Sequence, residues 1–191
     1  WVIQICDVLT YLHSQTPPVI HRDVKPANIK IVSDGRAMLV DFGIAKIYDP
    51  NTRTTQGARG VTHGYSPPEQ YGRSMTDMRT DVYALGATLY TLLTGQEPIE
   101  APQRLVQDSL LLPRVINPSI TPSIEQAIIR AMQLSPAARF PSAQDFKLAL
   151  TGTAAPLARP LWSLNRTLPH SHIPTVKHKT KDTGPILARP T

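Results

Sequence analysis

The 191-residue chain has one cysteine, Cys6. An intrachain disulfide and a cysteine-based metal site are both excluded, and the usage fits a reducing compartment. Cys6 falls on the apolar face of the first helical pattern, where a small core residue is expected rather than a reactive thiol. Long hydrophobic runs are also missing. The longest, "VYALGATLYTLLTG", is shorter than the ~18–20 residues a membrane span needs, so it reads as a buried helix. No signal-peptide pattern opens the chain. An initial methionine is lacking too: Trp1 leads straight into a helical pattern, and an upstream portion is therefore expected ahead of it. Acidic residues are scarce in one region. Residues 151–191 hold six Lys/Arg against the single acid Asp182, whereas residues 1–150 hold fourteen Lys/Arg against thirteen Asp/Glu. The net charge of +6 thus belongs to the tail, and the folded part offers no basic face for nucleic acid.

What is present is mostly helical. Residues 2–13 set Val2, Ile5, Cys6, Leu9 and Leu12 on one stripe, and Pro17 and Pro18 close that helix. "IKIV" (29–32) and "AMLV" (37–40) are short β-type runs around the turn signal Asp34-Gly35. From Asp41 to about Thr80 the pattern is broken by Gly, Pro, Thr and Arg, as in long functional loops. Residues 80–95 then read as a helix apolar nearly all round, placed in the middle of a domain, with Gly95 just past its end. Residues 123–132 form a further helix with Ser123 and Gln126 as a capping box, and residues 142–150 repeat the device with Ser142 and Asp145. The expected fold is mainly α with a small β element. It covers residues 1–150 as one domain. From about Gly152, prolines at 156, 160, 169, 174, 185 and 190 alternate with basic residues, so 151–191 is expected to be a disordered or extended basic linker. His170, His172 and His178 in it have neither a rigid scaffold nor an acidic partner, so no metal site is read there.

The chemistry is concentrated in "HRDVKPAN", residues 21–28, and in Asp41. The hairpin between them brings its two ends together, so Asn28 and Asp41 are expected to be neighbours. An amide and a carboxylate oxygen at one edge suit a hard cation such as Mg²⁺. Asp23 is left to accept a proton or orient a hydroxyl, and Lys25 offers a point charge for a transferring phosphate.

These residues carry a resemblance. "HRDVKPAN" followed by Asp41-Phe42-Gly43 resembles the catalytic loop and metal motif of protein kinases. "YSPPEQYG" (65–72) resembles the end of the kinase activation segment, with Glu69 as its acid. Asp81 in "DVYALG" resembles the aspartate that opens the central helix and holds the catalytic loop, and Arg139 resembles the arginine that pairs with Glu69. "PPEQYG" is closer to bacterial serine/threonine kinases than to animal ones. The resemblance implies the C-terminal lobe of the α+β kinase fold, truncated at the N-terminal lobe. It implies ATP as cosubstrate, Mg²⁺ or Mn²⁺, and protein substrates bearing Ser or Thr, with no nucleic-acid partner. Asp23 would accept the hydroxyl proton, Asn28 and Asp41 would hold the metal, and Lys25 would contact the γ-phosphate. Thr62 would bond Asp23 and Lys25 and favour Ser/Thr hydroxyls. Arg22 would bind an activation-segment phosphate, with Thr54 and Thr55 as its candidate sites. His21, Phe42, Gly43, Glu69, Asp81 and Arg139 would be structural.

The chain departs from the pattern in places. The glycine-rich loop, the strand lysine and the helix glutamate of the family lie upstream of the catalytic loop, and the twenty residues before His21 contain none of them. The chain alone is therefore expected to have little or no activity. Val61 replaces the usual glycine before Thr62. Lys30, two after Asn28, stands where the family places an apolar residue beneath the adenine. The alternatives are a non-catalytic, pseudokinase-like interaction module, against which the intact Asp23, Asn28 and Asp41 argue, and a small-molecule phosphotransferase, against which Glu69 and Arg139 argue. A cytoplasmic location is expected, with any membrane association left to regions outside the chain or to contact of the basic tail with anionic lipid.

Overall fold

A computed structural model describes residues 1–47, 60–72 and 75–153. All of these fall in one compact unit, Trp1–Ala155. Thr54, Thr55, the prolines of the tail and its three histidines lie outside the described residues.

Helix α1 spans Val2–His13, as its apolar stripe predicts, with Ile5, Cys6 and Leu9 buried. Burial, with Asp7 beside it, pushes the Cys6 thiol up to about 12, which leaves it an inert core residue. Strands β1 (Val19–Ile20), β2 (Ile29–Ile31), β3 (Ala37–Leu39) and β4 (Lys46–Ile47) form two antiparallel pairs, β1 with β4 and β2 with β3. In the β2–β3 hairpin Ile29 faces Leu39, Lys30 faces Met38 and Ile31 faces Ala37. Gly35 turns the chain at φ 83°, a conformation that favours glycine. The hairpin sits on α1, where the Gln4 Oε1 accepts the Ala37 N–H at 2.7 Å.

The helical body follows: α2 (Pro68–Tyr71), α3 (Met78–Thr94), α4 (Ala101–Val106), α5 (Pro113–Ile116), α6 (Pro122–Ala131) and α7 (Ala143–Thr151). Helix α3 is buried without a break from Thr80 to Tyr90, which explains why its sequence shows no polar face. Asp77 caps it by accepting the Arg79 N–H. Gly95 ends it at φ 71°, the left-handed C′ position. A Cβ on Gly86 would lie 2.7 Å from that of Ala131, so α3 and α6 approach at a distance only glycine allows. Around α3 pack Ile5 and Leu9 of α1, Ile128 and Met132 at α6, and Phe140 and Phe146 at α7.

Three expectations need correction. The loop expected from Asp41 to Thr80 contains β4 and the short α2; two and four residues are too few to show a period. Helix α6 is capped by Thr121, whose Oγ1 accepts the Ile124 N–H, not by Ser123. Pro122 is already in the helix at its first turn, which moves the start ahead of the expected one. At Ser142 and Asp145 one half of the box is formed: the Ser142 Oγ accepts the Asp145 N–H at 3.1 Å, while the hydroxyl donates to the Asp145 carboxylate in place of the Ser142 N–H.

Candidate active site

The loop that holds residues 21–28 runs from β1 to β2 and is held from below by α3. The Asp81 carboxylate, fully buried on the first turn of α3, accepts the N–H groups of His21 at 2.8 Å and Arg22 at 2.7 Å. His13, at the end of α1, brings its Nε2 within 2.9 Å of the same carboxylate. These bonds fix Arg22 at φ 69°, a left-handed conformation that costs a non-glycine residue ~1–2 kcal/mol. A single aspartate thus ties α1, α3 and the loop together.

Thr62, Asn28 and Lys25 converge on the Asp23 carboxylate. Its Oδ1 accepts the Thr62 hydroxyl at 2.6 Å. Its Oδ2 accepts the Asn28 amide at 2.9 Å and pairs with the Lys25 Nζ at 2.8 Å. Lys25 also donates to the Thr62 Oγ1 at 3.1 Å, closing a triangle of Asp23, Lys25 and Thr62. Burial pushes the Asp23 carboxyl up, but the bonds from Lys25, Thr62 and Asn28 outweigh it and hold the group below the ordinary carboxylate value. The site therefore presents a fixed, ionised carboxylate beside an ammonium group. Such an arrangement can orient a hydroxyl and neutralise charge on a phosphoryl group next to it.

Asn28 ends a short 3₁₀ turn (Pro26–Asn28) and is buried. Both of its amide bonds go to Asp23, one to the backbone carbonyl and one to the carboxylate, each at 2.9 Å. Its Oδ1 is left without a hydrogen bond among the described residues. The hairpin places Val40 opposite, where its N–H donates to the Asn28 carbonyl at 2.9 Å, and Asp41 follows directly. Asp41 is exposed, at φ 64°, and accepts the Gly43 N–H at 3.2 Å. An amide oxygen and an exposed carboxylate at one strand edge fit a divalent cation that completes its shell with phosphate and water. Lys30 is exposed on the same hairpin, opposite Met38.

The supporting residues are also in place. Phe42 packs edge-on to the His21 ring at 4.8 Å and is 47% exposed. His21 is fully buried, and burial lowers it from its ordinary value although Asp81, the Val40 backbone, Asp23 and Asp41 oppose the shift. A neutral ring agrees with the Asp23 N–H donating to its Nδ1 at 3.3 Å. Glu69 and Arg139 form a buried two-point pair, with Nη1–Oε1 at 2.6 Å and Nη2–Oε2 at 2.9 Å. The remaining Arg139 donors reach the carbonyls of Gln133, Arg79 and Leu134, so the guanidinium is fully satisfied. Arg22 is different. It is 2% exposed, its Nη1 reaches only the Ile44 carbonyl at 3.4 Å, and its Nε has no partner among the described residues.

Sequence reasoning missed His13, Gln70 and Ser66. His13 ends the first helix and gave no signal of its own. Gln70 directly follows Glu69 and donates to the Arg22 carbonyl at 2.9 Å. Ser66 accepts the Thr62 N–H at 3.0 Å.

Residues 1–141 match the protein kinase domain family. A probable serine/threonine-protein kinase of Clostridium perfringens is 37% identical over 134 residues, which cover 66% of this chain and 19% of that protein. Serine/threonine-protein kinase PknH of Mycobacterium bovis is 36% identical over 154 residues, 78% of this chain and 26% of that one. Among solved structures, the kinase domain of a mutant PknI from Mycobacterium tuberculosis superposes with a TM-score of 0.59 at 28% identity, over 81% of this chain and 53% of that one. The chain thus spans about a fifth to a quarter of these curated relatives and about half of the solved kinase domain. No helix among the described residues is long and apolar enough to cross a membrane. The match over most of its length and the identity to serine/threonine kinases show that the chain belongs to the protein kinase family.

Proposed function

We propose that this chain supplies the catalytic-loop lobe, residues 1–150, of a serine/threonine protein kinase, with 151–191 as a basic, proline-rich linker. The observation that carries the proposal is the closed triangle of Asp23, Lys25 and Thr62, with Asn28 as its fourth member. Asp23 orients the substrate hydroxyl and takes its proton as the phosphoryl group is transferred. Lys25 faces the γ-phosphate as a point charge. Thr62, bonded to both, fixes the depth at which a hydroxyl is received and favours the short Ser and Thr side chains. Asn28 Oδ1 and the Asp41 carboxylate would hold Mg²⁺ or Mn²⁺, which would offset the charge of the ATP phosphates. Positioning and charge stabilisation account for the catalysis, so the geometry of these few side chains decides the rate.

Arg22 supports a regulatory role. A buried guanidinium whose Nε has no partner among the described residues is suited to a phosphate on Thr54 or Thr55, whose charge would pair with it. His21, Phe42, Gly43, Glu69, Asp81 and Arg139 hold the site in shape. The proposed location is cytoplasmic, where ATP and Mg²⁺ are available.

Transfer is assigned to a protein that carries this lobe with the rest of the kinase domain. The test is incubation of the full-length protein with labelled ATP, Mg²⁺ and a generic protein substrate, followed by phosphoamino-acid separation. Phosphoserine or phosphothreonine from the wild type, lost in Asp23→Asn, is the expected result. No transfer by the wild type, or equal transfer by the variant, overturns the proposal.

A further inference from the structure

Gln70 lies on the four-residue helix α2, one position after Glu69, and is 3% exposed. Its Nε2 donates to the Arg22 carbonyl at 2.9 Å and to the Gly60 carbonyl at 3.3 Å. Its Oε1 is buried and has no partner among the described residues. Turning the amide over would set an oxygen against two carbonyl oxygens, so the orientation is fixed by its neighbours. A buried position serving packing alone favours an apolar side chain, because an unpaired buried oxygen is unfavourable. The two donated bonds are what this glutamine contributes.

Their targets are informative. The N–H of the left-handed Arg22 is held by Asp81 and its C=O by Gln70, so the residue just before Asp23 is fixed through both of its flanking peptides. Gly60 is two residues before Thr62, whose hydroxyl bonds the Asp23 carboxylate. Gly60 also lies against Ile44, where an added Cβ would meet the side chain at 2.6 Å, and the Ile44 carbonyl receives the Arg22 guanidinium. Two chain segments therefore meet at one amide, the loop before Asp23 and the approach to Thr62, and Ile44 of the stretch after the hairpin touches both.

We propose that Gln70 is a positioning residue for phosphotransfer, setting the separation of Asp23 and Thr62 by clamping Arg22 and Gly60 with one side-chain amide. This rests on the kinase reading above. Without the clamp the two segments move independently, and a displacement near 1 Å at a reacting centre costs about 100-fold in rate.

The test uses Gln70→Leu, which keeps the volume and removes the donor, and Gln70→Glu, which keeps the shape and replaces the nitrogen with oxygen. In the full-length protein both are expected to lower kcat by about 10–100-fold with KM for ATP within about 3-fold. In the 191-residue chain, amide hydrogen exchange is expected to quicken in residues 20–25 and 60–66 together, with α6 and α7 unchanged. An unchanged kcat in both variants overturns the proposal, and so does faster exchange throughout the chain, which would mark a general loss of stability. If the wild type transfers no phosphate, the kinase reading fails. Exchange then still decides whether Gln70 couples the two segments, and unchanged exchange at 20–25 and 60–66 overturns that coupling.

Discussion

Asp23 and Asp41 lie at the two ends of the proposed half-site, and their surroundings differ in kind. Asp23 is held by Thr62, Asn28 and Lys25, and the backbone before it is tied to α3 by Asp81 and to α2 by Gln70. Asp41 is exposed and left-handed, with the Gly43 amide on its carboxylate, beside a Phe42 that is 47% exposed. The first region carries its geometry within the lobe. The second offers exposed carboxylate oxygens and a half-exposed aromatic face.

The largest expected effect breaks the first region without unfolding it. In the full-length protein Asp23→Asn should lower phosphotransfer by about 10²–10⁴-fold, the range for loss of a positioned base. The unfolding midpoint of the 191-residue chain should change little, and rate assays beside thermal melts read both. Asp41→Asn should be comparably damaging to transfer, and weaker binding of Mn²⁺, followed by its paramagnetic signal, would place the defect at the metal oxygens.

Next in size is the support beneath the site. Arg139→Met leaves Glu69 buried with its cation removed, and loss of one partner of such a pair costs about 3–5 kcal/mol. Denaturant unfolding measures it, and a loss below about 1 kcal/mol would mean that the pair contributes little to holding α2. Unlike Asp23→Asn, this change should lower stability and activity together.

A smaller effect comes from pH. Burial lowers the folded-state pKa of His21, so the unfolded chain binds its proton more readily. Stability from this group is complete above the unfolded value near ~6.5 and falls as pH drops below it, at no more than about 1.4 kcal/mol per pH unit, until the folded ring protonates. His21→Gln should remove that slope from denaturant curves taken between about pH 7 and 5. The least effect is expected on the open face. Met38 is 48% exposed on β3, and Met38→Thr should alter stability by no more than about 0.5 kcal/mol.

The two regions also differ in how far the sequence shows them. Asp23, Lys25 and Asn28 fall within six residues, so local spacing announces them, and Asp41 follows the turn that Asp34 and Gly35 mark. Thr62 is 39 residues from Asp23, and its contact with it is expected only from the resemblance. The partners His13 and Gln70 stand 68 and 48 residues from Asp81 and Arg22, and no local pattern points to them. The cap at Ser142 was legible because a serine and the amide three residues on are neighbours in any helix start. The true cap of α6, Thr121, directly precedes Pro122, which suits a first helical position, but the Ser123 and Gln126 spacing offers a competing box, and α4 and α5 are too short to show a period.

By itself the sequence determined the stripe of α1, the hairpin, the apolar length of α3 and the types of group the site holds, because each depends on neighbours within one turn or one hairpin. Only the tertiary structure decided which side of Asp23 is occupied, that Asp81 gathers His13 with the backbone of the loop, that Arg139 is fully bonded while the Arg22 Nε has no partner among the described residues, and that one amide of Gln70 spans two segments. Those outcomes rest on hydrogen-bond distances of about 3 Å between residues far apart in the chain. Only the packing of α1, α2 and α3 around the loop brings them within that reach.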